Sequence, residues 1–338
     1  MEWLPRGRRE WVRAAAVWAS LLLLGILGGS FMMRMPGHSY TAPLPPLAPE
    51  EAEIQQRLET HVRALAGRIG ERNMFRPAAL EAAARYLEQA FRDLGYGVEA
   101  QELASHAGVA RNLESALRGG PLSGEIVIVG AHYDSVIGSP GANDNATGTA
   151  AVLELARLLR RDVPLRTVRF VLFVNEEPPW FLTDAMGSRR YAARARARGE
   201  RIVAMLSLET LGYYSDADGS QHYPFPFGLF YPGTGNFIGF VGNFPSRDLV
   251  RRCVASFRRS ASFPSEGLAA PGWITGIGWS DHSSFWEHGY PAVMVTDTAL
   301  FRYGPYHTSE DTPDKVRFDR MARVVAGLAR VVLDVATR

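Results

Sequence analysis

The sequence predicts an α/β fold in which a largely parallel sheet is covered by helices on both faces. Short apolar segments at 125–131, 167–174 and 202–208 have the length and composition of buried strands. Segments with helical periodicity, such as 147–160 and 186–199, separate them. Strands that alternate with helices are typical of parallel sheets, because each crossover helix packs on one face of the sheet.

The composition fits one large globular domain that follows a distinct N-terminal segment. The chain has 338 residues, of which 46% are hydrophobic and 21% charged, and this is ample apolar material for a core. A net charge of +2 gives no reason to expect a nucleic-acid partner. The single cysteine, Cys253, excludes an intramolecular disulfide, so stability must come from packing.

Residues 14–33 form an uncharged, strongly apolar stretch near the N-terminus. A helix needs about 20 apolar residues to cross a bilayer. Several arginines precede the stretch and only Arg34 follows it closely, which places residues 1–13 in the cytoplasm and the rest of the chain across the membrane. We therefore predict a transmembrane signal anchor and an extracytoplasmic (periplasmic or extracellular) domain. A cleaved signal peptide is the alternative, but its apolar region is normally shorter, about 7–15 residues.

The main domain, residues 51–338, is predicted to follow a stiff proline-rich linker over residues 34–50. Its helices are predicted at 51–66, 77–94, 147–160, 186–199, 246–258 and 317–336. Its strands are predicted at 96–103, 110–117, 125–131, 167–174, 202–208 and 291–296, and the first two can pair with each other. Residues 213–242 are rich in Tyr, Phe, Gly and Pro and have no clear period, and we interpret them as an insert that shapes the mouth of a pocket.

Five residues of metal-ligand type lie in separate short loops of the main domain, four of them at or near a strand end: His132, Asp144, Glu177, Glu209 and His307. A parallel sheet collects such loops at one edge, so these residues can converge. Imidazoles and carboxylates together suit zinc. Each residue alone has a plainer interpretation, such as a helix cap for Asp144 or an ion pair for Glu209. Their shared placement favours a metal site.

Glu176 and Asp134 extend this pattern. Adjacent acids at the end of a buried strand, Glu176 and Glu177, are costly unless they are paired or bound to a metal. Their side chains diverge on a strand, so one can face a metal while the other faces a water that it activates. Asp134 lies two residues after His132 and can hold the second nitrogen of that imidazole.

Three further residues are candidates for contacts around the site. Asp281, in a polar pair among aromatic residues, is interpreted either as a support for the ligands or as a partner for a substrate amine. Trp180 and Tyr303 are aromatic residues close to the metal-ligand loops, and we expect them to line a side-chain pocket.

Four segments together resemble the co-catalytic di-zinc aminopeptidases, whose superfamily includes glutaminyl cyclases and the transferrin receptor ectodomain. They are AHYDS at 131–135, GANDNATG at 141–148, NEE at 175–177 and YHTSEDTPD at 306–314. They occur in the order of that family, over roughly residues 55–337. The resemblance implies a three-layer α/β/α sandwich with a mixed, mostly parallel sheet of about eight strands.

The resemblance also implies an activity and a role for each site residue. The activity would be hydrolysis of N-terminal peptide bonds in peptide or aminoacyl substrates, with two zinc ions per chain. Asp144 would bridge the two ions, Glu176 would act as the general base and Asp134 would orient His132. The remaining ligands would divide into one pair for each ion, His132 with Glu209 and Glu177 with His307.

Two departures from the family pattern keep alternatives open. The family usually has Asp where this chain has Glu209, and residues 178–185 lengthen the segment between Glu177 and Gly187. One alternative is a glutaminyl-cyclase-like acyltransferase with a single zinc held by Asp144, Glu177 and His307. The other is a non-catalytic receptor or scaffold on the same fold.

Overall fold

The computed structural model describes residues 7–105 and 108–337, without the side chains of residues 22, 24, 26 and 105. The helices are α1 (Arg8–Met33), α2 (Pro49–Val62), α3 (Pro77–Asp93), α4 (Gly148–Leu159), α5 (Gly187–Ala197), α6 (Arg247–Ser260), α7 (His282–Glu287) and α8 (Phe318–Thr337). The strands are β1 (Glu99–Ser105), β2 (Gly108–Leu117), β3 (Leu122–His132), β4 (Arg166–Phe173), β5 (Arg201–Glu209), β6 (Ile238–Gly242), β7 (Ser265–Ala269) and β8 (Ala292–Thr296).

The eight strands form one mixed sheet in the order β1-β2-β4-β3-β5-β8-β6-β7. The four central strands, β4, β3, β5 and β8, run parallel to one another. Antiparallel pairing begins where β2 joins β4 and where β6 joins β8, and β6 and β7 are parallel to each other. This confirms the predicted fold class.

Helices cover both faces of the sheet and make it a three-layer structure. Along β3, Val127 and Val129 face a large core that contains residues of α2, α3, α4, α6 and α8. Ile126 and Ile128 face a smaller core built with α5 and α7 around Tyr191. The side chains of β3 alternate between two apolar layers, which explains why this segment reads as an unbroken apolar run.

The part of the chain from residue 212 to residue 287 contains more regular structure than the sequence indicated. It holds β6, β7 and α7 in addition to the predicted helix, which is α6. Both strands are five residues long, and Gly239, Gly242 and Gly267 lie within them. Glycine weakens strand propensity, so these strands form because they pair with β8 and with each other rather than because of local preference.

The N-terminal apolar stretch lies within helix α1. Among the residues that the structure describes, no helix combines the length and the hydropathy that a membrane crossing needs. The predicted span 14–33 includes residues 22, 24 and 26, whose side chains lie outside the described part of the chain, and anchoring stays a prediction.

The proline-rich segment after α1 is extended and lies against the main domain. Arg258 of α6 donates hydrogen bonds to the carbonyls of Pro36 and Gly37 at 3.2 and 3.1 Å. The Ser39 hydroxyl accepts a bond from the backbone N–H of Ser265 at 2.9 Å. Further along, Arg323 of α8 donates to the carbonyl of Pro45. The segment is therefore fastened to the domain at several points.

The sheet places the ends of β3, β4 and β5 at one edge, and close backbone packing holds that edge together. The turn at 142–147 lies against the end of β5, where the Asn145 side chain donates to the carbonyl of Leu208 at 2.8 Å. A Cβ at Gly148 would lie 2.3 Å from that same carbonyl oxygen and 2.4 Å from Asn145 Oδ1. Only glycine fits at this position without moving the backbone.

We expect Gly148→Ala to destabilise the fold by about 1–3 kcal/mol, because the added methyl group displaces the strand end that carries Glu209. Chemical denaturation measures the loss. Gly124→Ala is the matched control, since a Cβ there meets nothing within 4 Å. Equal stability of the two variants would contradict this account of the packing.

Candidate metal centre

The structure brings all five predicted ligands together around Asp144. His132 Nε2 lies 3.3 Å from Asp144 Oδ1 and 3.3 Å from Glu209 Oε2. On the other side, His307 Nε2 lies 3.0 Å from Asp144 Oδ2 and 3.3 Å from Glu177 Oε2. The two oxygens of Asp144 therefore face two different imidazoles, each of which has a glutamate beside it.

The donor atoms fit a bound metal because protein groups do not satisfy them. His132 is fully buried, yet both of its ring nitrogens lack a hydrogen-bond partner among the described residues, as does Asp144 Oδ1. Buried polar atoms without partners are rare in folded proteins. Two sets of potential ligands, His132 with Glu176 and Glu209 and His132 with Asp144 and Glu177, have donor atoms within 4.8 Å of one another. Mixed imidazole and carboxylate donors suit zinc.

The electrostatic environment of the two adjacent glutamates also favours a bound cation. Burial raises the pKa of Glu176 well above its ordinary value; His132 opposes the shift and the negative charge of Glu209 adds to it. Burial likewise raises the pKa of Glu177, and the charges of Asp144 and Glu176 add to the shift. The carboxylates repel one another when only protein groups surround them, and a cation between them removes that repulsion.

Asp134 holds the backbone on which both glutamates stand. Its Oδ1 accepts the N–H of Glu176 at 3.3 Å, and its Oδ2 accepts the N–H of Glu177 at 3.2 Å. The same Oδ1 lies 3.6 Å from His132 Nδ1, which is close enough to favour one ring orientation but long for a hydrogen bond. Asp134 therefore positions the glutamate pair more directly than it positions the imidazole.

Glu209 and Glu177, two of the candidate ligands, each have one oxygen held by a protein donor. Ser280 Oγ donates to Glu209 Oε2 at 2.7 Å, and the backbone N–H of Val136 donates to Glu177 Oε1 at 3.1 Å. The family that the sequence resembles usually has Asp at the position of Glu209. The longer side chain of Glu209 reaches the centre, and the hydrogen bond from Ser280 holds its carboxylate there. Glu176 Oε2 lies 3.8 Å from His132 Nε2 and is close to the centre as well.

Sequence reasoning missed Arg72, which is fully buried beside the centre. Its guanidinium donates to the carbonyls of Tyr133, Pro140 and Gly141 at 2.6, 2.5 and 2.8 Å. These carbonyls belong to the loop between His132 and Asp144. Burial lowers the pKa of Arg72 to about 10, and the surrounding carboxylates, Asp134 first, oppose the shift. Arg72 stands in a short segment before α3, where nothing local in the sequence signals such a role.

Asp311 lies within one of the four sequence motifs, but sequence reasoning gave it no role. Its two oxygens accept the backbone N–H groups of Asn143 and Asp144 at 2.8 and 3.0 Å. Tyr303 donates its hydroxyl to Asp311 at 2.8 Å and is itself buried. Tyr303 therefore supports the loop that carries Asp144, and does not line a substrate pocket as the sequence suggested.

Trp180 and Asp281 differ in burial and in their surroundings. Trp180 is half-buried, follows Glu177 in a tight turn and stacks on Phe75, with ring centroids 6.5 Å apart. Asp281 is fully buried. Burial raises its pKa to about 7, while His132 and then Ser188 oppose the shift. The burial of Asp281 favours a supporting place behind the ligands over contact with a substrate amine.

A large apolar pocket opens beside the centre. Glu209 and Tyr306 line its inner end, and the Tyr306 ring stacks on His307 with centroids 3.9 Å apart. Its walls include Tyr223, Tyr231, Phe237, Leu268, Ile274 and Met294. It encloses about 880 Å³ not filled by protein atoms, including open solvent at the mouth. The insert and the loops flanking β7 build most of it, and neither Trp180 nor Tyr303 is among its lining residues.

We expect Arg72→Lys to weaken zinc binding and to lower stability by about 2–4 kcal/mol. The three carbonyls bind three different nitrogens of the planar guanidinium, and the single nitrogen of lysine lacks this fork geometry, so buried acceptors lose their donors. Competition with a zinc chelator and chemical denaturation measure the two effects. Arg76→Lys is the control, since Arg76 lies nearby in the chain but is exposed and pairs with Glu71. Unchanged zinc affinity in Arg72→Lys would contradict a role in positioning the loop.

Solved structures of similar fold include zinc aminopeptidases and glutaminyl cyclases. The zinc aminopeptidase BSAP from Bacillus subtilis superposes with a TM-score of 0.67 at 17% identity, over 84% of this chain and 95% of that chain. Fimbriiglobus ruber glutaminyl cyclase superposes with a TM-score of 0.62 at 21% identity, over 88% of this chain and 98% of that chain. At these identities the likeness concerns the fold.

Comparison with sequence relatives gives information about the family as well as the fold. An uncharacterised Escherichia coli protein, YfbL, is 38% identical over 84% of this chain and 88% of its own length. Leucine aminopeptidase 1 of Arthroderma otae is 27% identical over 61% of this chain, and the match spans about half of that enzyme, 54% of its length. The model of Peptidase family M28 matches residues 112–332, which hold every candidate ligand. The chain belongs to peptidase family M28.

Proposed function

We propose that this protein is a metallo-aminopeptidase that removes residues from the N-termini of peptides with two zinc ions. The arrangement of Asp144 carries the proposal, since each of its oxygens faces one histidine. The kinship with leucine aminopeptidases supports the same activity. A carboxylate shared between two cation sites is what a bridging ligand needs.

The ligands would divide into two sets around Asp144. His132 and Glu209 would complete one set, and Glu177 and His307 the other. What bound zinc supplies here is Lewis acidity towards the scissile carbonyl and towards the attacking water. Ser280 and Val136 each hold an oxygen of Glu209 and Glu177, which keeps these carboxylates directed at the centre.

Glu176 is suited to move the proton. It lies beside the ligands, its backbone N–H is held by Asp134, and its Oε2 faces the imidazole of His132 at 3.8 Å. It would take the proton from the attacking water at Oε2 and give it to the leaving amine. The buried, water-poor surroundings strengthen each of these interactions.

The apolar pocket is suited to the side chain of the N-terminal residue. It begins at Glu209 and Tyr306, next to the centre, and its walls are aromatic and aliphatic. Tyr306 is held against His307 by ring stacking. Burial raises the pKa of the Tyr306 phenol, and the negative charges of Asp144 and Glu209 add to the shift, so its O–H stays available as a donor near the scissile carbonyl. We therefore expect a preference for apolar N-terminal residues.

We also propose that α1 anchors the domain to a membrane, with the domain on the extracytoplasmic side. The uncharged residues 14–33 and the arginines before them support this. Large apolar side chains of α1 point away from the protein, for example Trp18, which is 71% exposed. Insertion of the helix predicts that quenchers placed on lipid acyl chains reach Trp18.

We expect Glu176→Gln to keep its zinc and to lose about 10²–10⁴-fold in kcat, because the amide cannot accept the proton. Elemental analysis and hydrolysis of aminoacyl-nitroanilides measure the two properties. Glu310→Gln is the control, an exposed change in the loop that carries His307. Full turnover by Glu176→Gln would reject the base, and loss of zinc would assign Glu176 to the ligands instead.

The zinc content separates the proposal from the single-zinc cyclase alternative. We expect two zinc ions per chain, and we expect His132→Ala to lose zinc together with aminopeptidase turnover. In the cyclase arrangement His132 is no ligand, so that variant would keep one ion per chain. Release of the N-terminal residue, against formation of pyroglutamate from a peptide with N-terminal glutamine, identifies the reaction. One ion per chain with pyroglutamate as product would overturn the proposal.

A further inference from the structure

Two chain segments that line the apolar pocket also carry large apolar side chains that solvent reaches freely. Phe225, Leu229, Phe230 and Trp273 are 88%, 72%, 62% and 85% exposed, and we call these four residues the pocket collar. Their chain neighbours line the pocket itself, including Pro224, Phe227 and Ile274. Exposed apolar residues gathered in this way mark a surface that meets another apolar body.

The pocket collar is continuous with the end of α1. Met32 and Met33, the last residues of that helix, pack against the apolar cluster of Phe227, Ala270 and Ile277 that also supports the pocket walls. One residue earlier, the ring of Phe31 lies 6.0 Å from that of Phe244, and both are exposed. The apolar surface of α1 therefore passes into the pocket mouth through packed apolar side chains.

The position of α1 relative to the pocket is fixed by arginines of α6. Arg247 donates to the carbonyl of Phe31 at 2.8 Å, and its guanidinium lies 4.0 Å from the centre of the Phe31 ring. Arg251 donates to the carbonyl of Arg34, and Arg258 bonds to the chain just beyond. Because these bonds hold the end of α1 against α6, the helix and the pocket keep a fixed position relative to each other.

The same junction carries positive charge. Arg34 is exposed directly after α1, and the hydrogen bonds of Arg247 and Arg251 go to backbone carbonyls, which leave the charges in place. Basic residues next to exposed aromatic ones are the combination that binds the headgroups and the upper acyl region of an anionic bilayer. Each such charge near the surface strengthens the attraction to anionic headgroups.

From the apolar collar, its continuity with α1 and this charge, we infer that the pocket collar lies on an anionic lipid surface. The pocket then opens at the membrane and takes the apolar N-termini of peptides that lie on it. The choice of peptides rests on the proposed aminopeptidase function, whereas contact between the collar and lipid does not. Aromatic side chains at the level of the headgroups are the expected anchors of such a surface.

The test uses the full chain in vesicles of phosphatidylcholine and phosphatidylglycerol with brominated acyl chains, which quench nearby tryptophans. The fluorescence difference between the wild type and Trp273→Phe isolates Trp273. We expect its emission to fall to less than about half of that in unbrominated vesicles, because an interfacial tryptophan sits at the upper acyl chains. Quenching should weaken when phosphatidylcholine is the only lipid.

Two controls separate the collar from the anchor. Trp18→Phe isolates the emission of Trp18 and reports insertion of α1. Val163→Trp, made in the Trp273→Phe background, places a tryptophan in the exposed loop before β4, at the opposite edge of the sheet. The tryptophan introduced at this position should keep its emission in brominated vesicles.

Quenching of Trp273 that weakens without phosphatidylglycerol, with no quenching of the tryptophan introduced by Val163→Trp, supports the inference, whether or not Trp18 is quenched. Quenching of Trp18 without quenching of Trp273 would show that α1 inserts while the pocket collar does not contact lipid. This result would overturn the inference. An unquenched Trp273 whose emission changes with the ratio of protein to lipid would overturn it as well, and would assign the collar to a second copy of the chain. Quenching that does not depend on phosphatidylglycerol would overturn the anionic preference. None of these outcomes depends on peptidase activity.

Discussion

The structure depends on one constraint, the burial of several carboxylates in a small volume. Asp144, Glu176, Glu177 and Glu209 are all nearly inaccessible to solvent, and Arg72 is the fully buried side chain beside them that carries a lasting positive charge. Uncompensated charges in such a place cost several kcal/mol each. Two of these side chains, Glu209 and Glu177, accept a hydrogen bond from a protein donor, and Asp144 Oδ1 has no hydrogen-bond partner among the described residues and is left available to a cation. A cation bound among these carboxylates would therefore help to stabilise this edge of the sheet.

The sequence predicted the central sheet and the ligands for the same physical reason. Apolar runs long enough for a buried strand end abruptly at a charged residue, as β3 does at His132 and β5 at Glu209. Alone, such a residue has plainer explanations, for example an ion pair, and it is the shared placement of the five residues that favours a metal site. Because parallel strands share one edge, the sequence pattern alone was enough to place Asp144 and Glu177 beside them. The sheet order and the irregular turn around Asp144 did not follow from it.

What the sequence did not predict acts through the backbone over long separations. Arg72 reaches carbonyls 61 to 69 residues away, and Asp311 reaches N–H groups 167 and 168 residues away. Any polar side chain can bind a backbone group, so residue type carries little information about such bonds. The short strands β6 and β7 were not predicted for a related reason. Their stability comes from pairing, and their residues have weak strand preference.

Different parts of the chain build the candidate metal centre and the apolar pocket. The candidate ligands stand on strand ends and loops, while the pocket walls come largely from residues 213–242 and 265–280, together with the segment after β8. Gly267, in one of these walls, has no room for a side chain because Met35 lies against it, and a Cβ would approach Met35 Cγ to 2.8 Å. The N-terminal segment is thus part of the structure that shapes the pocket. A change in how that segment packs would alter which side chains fit without replacing a ligand. Selectivity can therefore vary among proteins with this centre while the reaction stays the same.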